Sequence, residues 1–236
     1  MTITSGGPVY DSPMRKLAMY LAGASGAVLV VMAVLSFVTG ASQELHEHIA
    51  LPEVYAMRLL AHASALRGLM ALDVAFLVLY TCFFAALAGY LRELGQPFTR
   101  LALGAMLACA LLDVIEDHHI LAMLRAAELG ELPSPGHIAF QAIESATKFS
   151  VSFGALVLFG LAVPRTTRLG WVLAAFLIAG TLLSAIASYA VNPDLEASFD
   201  SGRWLGFLAG FVLAIAWLRV QPDSEVSRPA VNAGAR

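Results

Sequence analysis

Charge is what this sequence has least of. Asp, Glu, Lys and Arg make up 13% of the 236 residues, while apolar types make up 59%. Soluble domains carry about twice that share of charge, roughly a quarter. With a mean hydropathy of +0.76 over the whole chain, a single aqueous core could not bury so much apolar surface, and lipid is the expected solvent. No basic block is present and the net charge is only -3, which excludes a nucleic-acid partner. Cysteine is nearly absent too. Cys82 and Cys109 both lie inside apolar runs and read as small buried hydrophobes, not as a disulfide or metal clip. There is no H-E-x-x-H pair, no Walker loop and no dinucleotide fingerprint.

What is there is a series of long apolar runs. Six can be placed, near 17–39, 68–91, 101–124, 142–163, 169–190 and 204–219. Each is close to the ~20 residues that cross a ~30 Å hydrocarbon layer. The expected fold is all-α: a polytopic membrane bundle of six transmembrane helices over 14–219, with polar tails at 1–13 and 220–236. Arg15 and Lys16 precede a first run that is long for a signal peptide, so it is read as a retained span.

Basic residues set the orientation. With six spans, Arg15, Lys16, Arg92, Arg100, Arg165, Arg168, Arg219, Arg228 and Arg236 share the side of both termini. Arg58, Arg67, Arg125 and Arg203 face the other side. Nine against four places both termini in the cytoplasm of a cell, in a plasma membrane of bacterial type. Pro52 is placed to open a helix in the long first loop. Gly202, Gly206 and Gly210 follow four-residue spacing in the last span, which predicts close helix packing. Trp171 and Trp217 read as anchors at the inner interface and Trp204 at the outer one, with Glu44 and Glu47 solvated in the outer loop.

Ionisable groups inside hydrocarbon cost about 2.5–3.5 kcal/mol each on insertion scales, yet the third span reads LLDVIEDHHILAML. At about 100° per residue, Asp113, Glu116 and Asp117 share one face of about 100°. His119 flanks that face and His118 points elsewhere. The fourth span carries Gln141, Glu144, Ser145, Lys148 and Ser152 on one stripe. The second offers Asp73 and Tyr80, and His62 and Arg58 extend the same line outward. With loop charges fixing the orientation, all these groups fall between the midplane and the outer surface. They predict an outward-facing polar cavity lined by spans two to four.

Three carboxylates on one face cannot all ionise in low dielectric. Lys148 can neutralise one and Arg58 or Arg67 another; at least one carboxylate then stays protonated, or a cation binds. Shared protons suit acid/base chemistry or a proton relay. A divalent metal ion would also restore balance, with His119, His62, His46 or His48 as nitrogen donors. The candidate catalytic set is Asp73, Asp113, Glu116, Asp117 and Lys148; the candidate metal ligands are His119 and His62.

The D-x-x-E-D run of span three resembles one found in uncharacterised bacterial membrane proteins, and this likeness implies no activity. The acid and histidine content invites comparison with membrane ceramidases and progestin-receptor-like hydrolases. Those need paired histidines late in the chain, and no histidine follows His137 here. Three readings stay open: an enzyme acting on a lipid-like or other apolar substrate, a proton- or cation-coupled carrier, and a non-catalytic scaffold whose buried ion pairs fix helix register.

Overall fold

A computed structural model describes residues 12–188 and 193–221, with the backbone alone for 193–201. The expected polar tails therefore lie almost wholly outside the described residues. The described structure is helical throughout: α1 (Pro13–Thr39), α2 (Pro52–Ala61), α3 (Ala63–Glu93), α4 (Thr99–Glu128), α5 (Pro135–Ala162), α6 (Arg168–Ala175), α7 (Thr181–Ser188) and α8 (Pro193–Val220). A π-helical turn at Phe176–Gly180 joins α6 to α7, making one rod over Arg168–Ser188.

Local chemistry explains the boundaries. Ser12 caps α1 by accepting from the Arg15 N–H at 3.2 Å, and Pro13 follows where its missing N–H costs nothing. Ser134 and Pro135 repeat that arrangement at α5, with the His137 N–H as donor. Gly40 ends α1 with φ 72°, a left-handed conformation that a side chain would oppose. Pro52 opens α2 as the sequence suggests. The expected second span begins earlier than its apolar run, at Ala63, because the chain breaks at His62 and resumes helix at once.

Among the described residues five helices are long and apolar enough to cross a membrane: Pro13–Thr39, Ala63–Glu93, Pro135–Ala162, Arg168–Ser188 and Gly202–Val220. Helix α4 is 30 residues long, and its internal carboxyl groups set it apart. Those groups are buried, while Leu101, Leu107, Leu111 and Ile115 cover its outer face. Packing closes the helices into a ring. α1 lies between α3 and α8, α4 between α3 and α5, and the α6–α7 rod between α5 and α8. α3 and α4 run antiparallel across the short turn of residues 94–98, and Arg67 at the start of α3 meets Glu128 at the end of α4 at 2.6 Å.

The glycine stripe of α8 departs from the sequence expectation at two of its three positions, while a Cβ at Gly210 would lie 3.4 Å from the Phe176 ring. A Cβ at Gly202 or Gly206 would meet nothing within 4 Å, so no helix packs closely there. Both glycines instead face an internal cavity of about 450 Å³. Close approach is found elsewhere. A Cβ at Gly170 would come within 2.3 Å of the Pro164 carbonyl oxygen, and one at Gly160 within 2.8 Å of Ile178. Small residues served two opposite ends in this chain, contact in one helix pair and empty space in another.

Candidate functional site

The cavity lies inside the helical ring and is polar at one end only. That end is built from the first half and middle of α3, the middle of α4 and α5, and the Arg203 turn of α8. It carries Asp73, Tyr80, Asp113, Lys148 and Arg203 on its wall. Further along the same helices the wall turns apolar, through Phe83, Phe84, Leu87 and Met106, then Phe153, Leu156, Phe207 and Phe211. The aromatic rings pack edge to face, Phe83 on Phe211 at 5.4 Å and Phe76 on Phe211 at 6.1 Å, an arrangement that holds a rigid apolar wall. The π-helical turn contributes Phe176, Leu177 and Gly180. Such turns are frequent at functional sites.

The five residues expected to form the site fall into a front and a back rank. Asp73, Asp113 and Lys148 line the cavity; Glu116 and Asp117, which are 0% and 1% exposed, stand behind the wall. Lys148 Nζ donates to Asp113 Oδ1 at 2.9 Å and also to Glu116 Oε2. Tyr80 donates its hydroxyl to Asp113 Oδ2 at 3.1 Å. Gln141 donates to Glu116 Oε1 at 3.1 Å, and Ser145 donates to the same oxygen. Both oxygens of Asp113 and both of Glu116 thus have donors. A buried ion pair supplied with such hydrogen bonds is stable where a bare one is not.

Asp73 and Asp117 form a different pair. Gln43 donates to Asp117 Oδ1 at 3.2 Å, while buried Oδ2 has no N–H or O–H donor. No N–H or O–H group among the described residues donates to the Asp73 carboxyl. Two buried acids so poorly supplied with donors cannot both ionise in low dielectric, so one of them holds a proton. Asp73 is 7% exposed, on the cavity wall. It is the one acid of the expected set that reaches the cavity without a cation attached, and it has a proton at hand.

A second group, absent from the expected set, closes the polar end. The loop between α1 and α2 folds back so that Gln43, Glu44 and Glu47 reach the cavity. Arg203 holds Glu47 at 2.8 Å and Glu44 at 3.7 Å, with its guanidinium 4.4 Å from the centre of the Phe149 ring. The Trp204 indole N–H donates to Glu44. In the sequence Trp204 reads as an interfacial anchor and Glu44 as a solvated loop acid. Their pairing spans 160 residues, and no local spacing signals it.

The loop is also fixed from below. Tyr55 donates to the His46 carbonyl at 3.1 Å, and the two rings meet edge to face at 5.5 Å. His46 is buried, and its Nδ1 has no partner. Burial, and then the nearby Arg58 charge, lower its pKa from 6.5 to about 4. A histidine held neutral in this way stabilises the folded loop above pH 6.5, and that contribution is lost as pH falls through about 4. The full loss is on the order of 3 kcal/mol. The amide protection factors of residues 43–49, taken relative to the intrinsic exchange rate at each pH, are therefore expected to fall between pH 6.5 and 4, and a His46→Leu change to remove that dependence. An equal fall in both proteins would contradict the assignment.

The expected metal ligands have separate neighbours. His119 Nδ1 lies 2.7 Å from Glu144 and its Nε2 lies 3.2 Å from His137 Nδ1. His62 packs over Gly40, its Cε1 3.5 Å from where a Cβ there would sit. Among the described residues no group of three or more His, Cys, Asp or Glu side chains is arranged to hold a metal ion. His118 bonds the Val114 carbonyl of its own helix at 2.8 Å, in line with its turning away from the carboxyl face.

The arrangement can hold an amphipathic molecule with its apolar body against the aromatic wall. It can also exchange a proton at the polar end, through Asp73, next to a carboxylate fixed by Lys148 and Tyr80. Set against protein-family models, curated proteins and solved structures, the chain matches none of them.

Proposed function

We propose that the protein is a membrane-embedded enzyme that binds a lipid-like substrate in the cavity and performs acid/base chemistry on its polar end. The observation that carries this reading is the division of one cavity into a carboxyl-lined end and an aromatic body. Asp73, which with Asp117 makes up a pair of acids that holds one proton, is the group that gives or takes a proton from the substrate. Asp113, fixed by Lys148 and Tyr80, supplies constant charge beside it, and Lys148 stabilises negative charge that develops on the substrate. Glu116 holds Lys148 in place from behind.

In this reading α4 is a sixth span. Its length, its position between α3 and α5 and its apolar outer face support that. The excess of basic residues on the side of both termini supports a cytoplasmic location for them, in a plasma membrane of bacterial type, and then the polar end faces outward. A coupled carrier would need polar access from both ends. Phe83, Phe84, Leu87 and Met106 fill the inner part of the wall, which favours the enzyme.

The test is a comparison of total lipid extracts from cells making the wild-type protein or its Asp73→Asn variant at equal abundance. Loss of the proton-exchanging carboxyl is expected to raise one amphipathic species and lower its product by about 10²–10⁴-fold in rate, the usual contribution of a general acid or base. Identical extracts from cells with and without the wild-type protein would contradict an enzymatic role.

A further inference from the structure

The charge balance at the polar end says which kind of molecule the cavity takes. Six carboxyl groups stand on or directly behind that end of the wall: Glu44, Glu47, Asp73, Asp113, Glu116 and Asp117. Two cations stand with them, Lys148 and Arg203. Both cations are engaged. Lys148 lies between Asp113 and Glu116, and Arg203 between Glu47 and Glu44. A proton held by Asp73 or Asp117, which cannot both ionise in low dielectric, removes one further negative charge.

Negative charge is thus left in excess, in surroundings that are otherwise aromatic and aliphatic. An anionic head entering here would meet carboxylates and would have to pull Lys148 or Arg203 from its partner. A cationic head meets the reverse. Asp73 is more than nine-tenths buried and lies on the wall. Among the described residues no N–H or O–H group donates to it. Such a group is an open acceptor facing the cavity. Tyr80, Phe76 and Trp204 share that part of the wall, and aromatic faces attract a desolvated cation.

We propose that the molecule bound in the cavity carries a single positive charge at its polar end, an ammonium-type head on an apolar body. This rests on the cavity being an amphiphile site, as above, and goes further by fixing the sign of the head. On binding, the ammonium lies against the Asp73 carboxyl and offsets one of the excess negative charges.

Three fluorescent probes with one apolar body and different heads test this: a quaternary ammonium, a sulfonate and a neutral alcohol. Each is titrated against the full-length protein in uncharged detergent, with Gly206→Leu protein as the reference for partition into the micelle. The ammonium probe is expected to bind about tenfold more tightly than the sulfonate, roughly the margin one desolvated cation–aromatic contact provides. The preference is expected to vanish in Asp73→Asn protein that elutes as a single species at the wild-type volume. Sulfonate binding equal to or tighter than ammonium binding, still lost in Gly206→Leu, would overturn the head-group assignment and leave the cavity reading standing. No difference between wild type and Gly206→Leu for any probe would overturn the cavity reading itself. Should Asp73→Asn fail to fold, the same charge preference measured on Tyr80→Phe, which leaves every carboxyl in place, is expected to persist, and its loss there would count against Asp73 as the determinant.

Discussion

Replacing Lys148 with methionine is expected to destabilise the bundle by about 3–5 kcal/mol, the range found when one partner of a buried ion pair is removed. The side chain is 8% exposed and its ammonium is divided between Asp113 and Glu116. Methionine matches the aliphatic stem, so packing is nearly conserved and the loss is electrostatic. Without the ammonium, Glu116 keeps the Gln141 and Ser145 donors, and Asp113 keeps only the Tyr80 hydroxyl. Both acids must then bind protons or drag water inward. Adding Glu116→Gln to the methionine variant removes one stranded charge and is expected to recover a large part of the loss. Adding Asp113→Asn recovers a further part. Denaturation in mixed detergent micelles, run as a double-mutant cycle, reads each contribution. A methionine variant as stable as the wild type would mean that these carboxyls are already neutral in the folded protein.

The second large effect concerns function with the fold kept. Leucine at position 206 is expected to leave the bundle intact and to weaken ligand binding by about 10–100-fold. Its Cβ enters open space, and a helix interior gains about 0.8–1 kcal/mol when glycine is replaced. The rest of the side chain occupies cavity volume that the ligand needs, at the cost of about 1–3 kcal/mol typical of overpacking. Alanine at position 170 is the opposite control. There a single added carbon collides with the Pro164 carbonyl, so stability falls and the cavity is unchanged in shape. Thermal unfolding and ligand titration of the two variants are expected to separate cleanly. A Gly206→Leu protein that binds like the wild type would show that the cavity is not where the ligand sits.

The sequence made some of this legible and hid the rest for physical reasons. Carboxylates at Asp113, Glu116 and Asp117 are visible because hydrocarbon makes each one costly, and helical periodicity places them on one face. The same periodicity finds Gln141, Ser145 and Lys148 on α5, and these do meet Glu116. A helical wheel gives direction around an axis and says nothing of distance from a cavity. The split between Asp113 at the wall and Glu116 behind it was therefore out of reach. The loop closure was hidden for another reason. Glu47 and Arg203 lie 156 residues apart, and each alone reads as an ordinary charge at a membrane surface. The α8 glycines were misread because small residues suit both contact and emptiness, and only a packed neighbour tells the two apart. Trp217 reads as an interfacial anchor, yet it is fully buried, 6.0 Å from Tyr90.

The central claim is that the inside of the helical ring takes up the apolar body of an amphiphile. Photolabelling in bilayers with a lipid-like ammonium carrying a diazirine in its chain tests this most directly, with the labelled residues mapped by peptide mass spectrometry. The account predicts labels on the inner wall, at Phe83, Leu87, Phe153 and Phe211, and loss of these labels in Gly206→Leu. Labels confined to lipid-facing residues such as Phe37, Leu183 and Ile186, which are exposed on the outside of the ring, would contradict it.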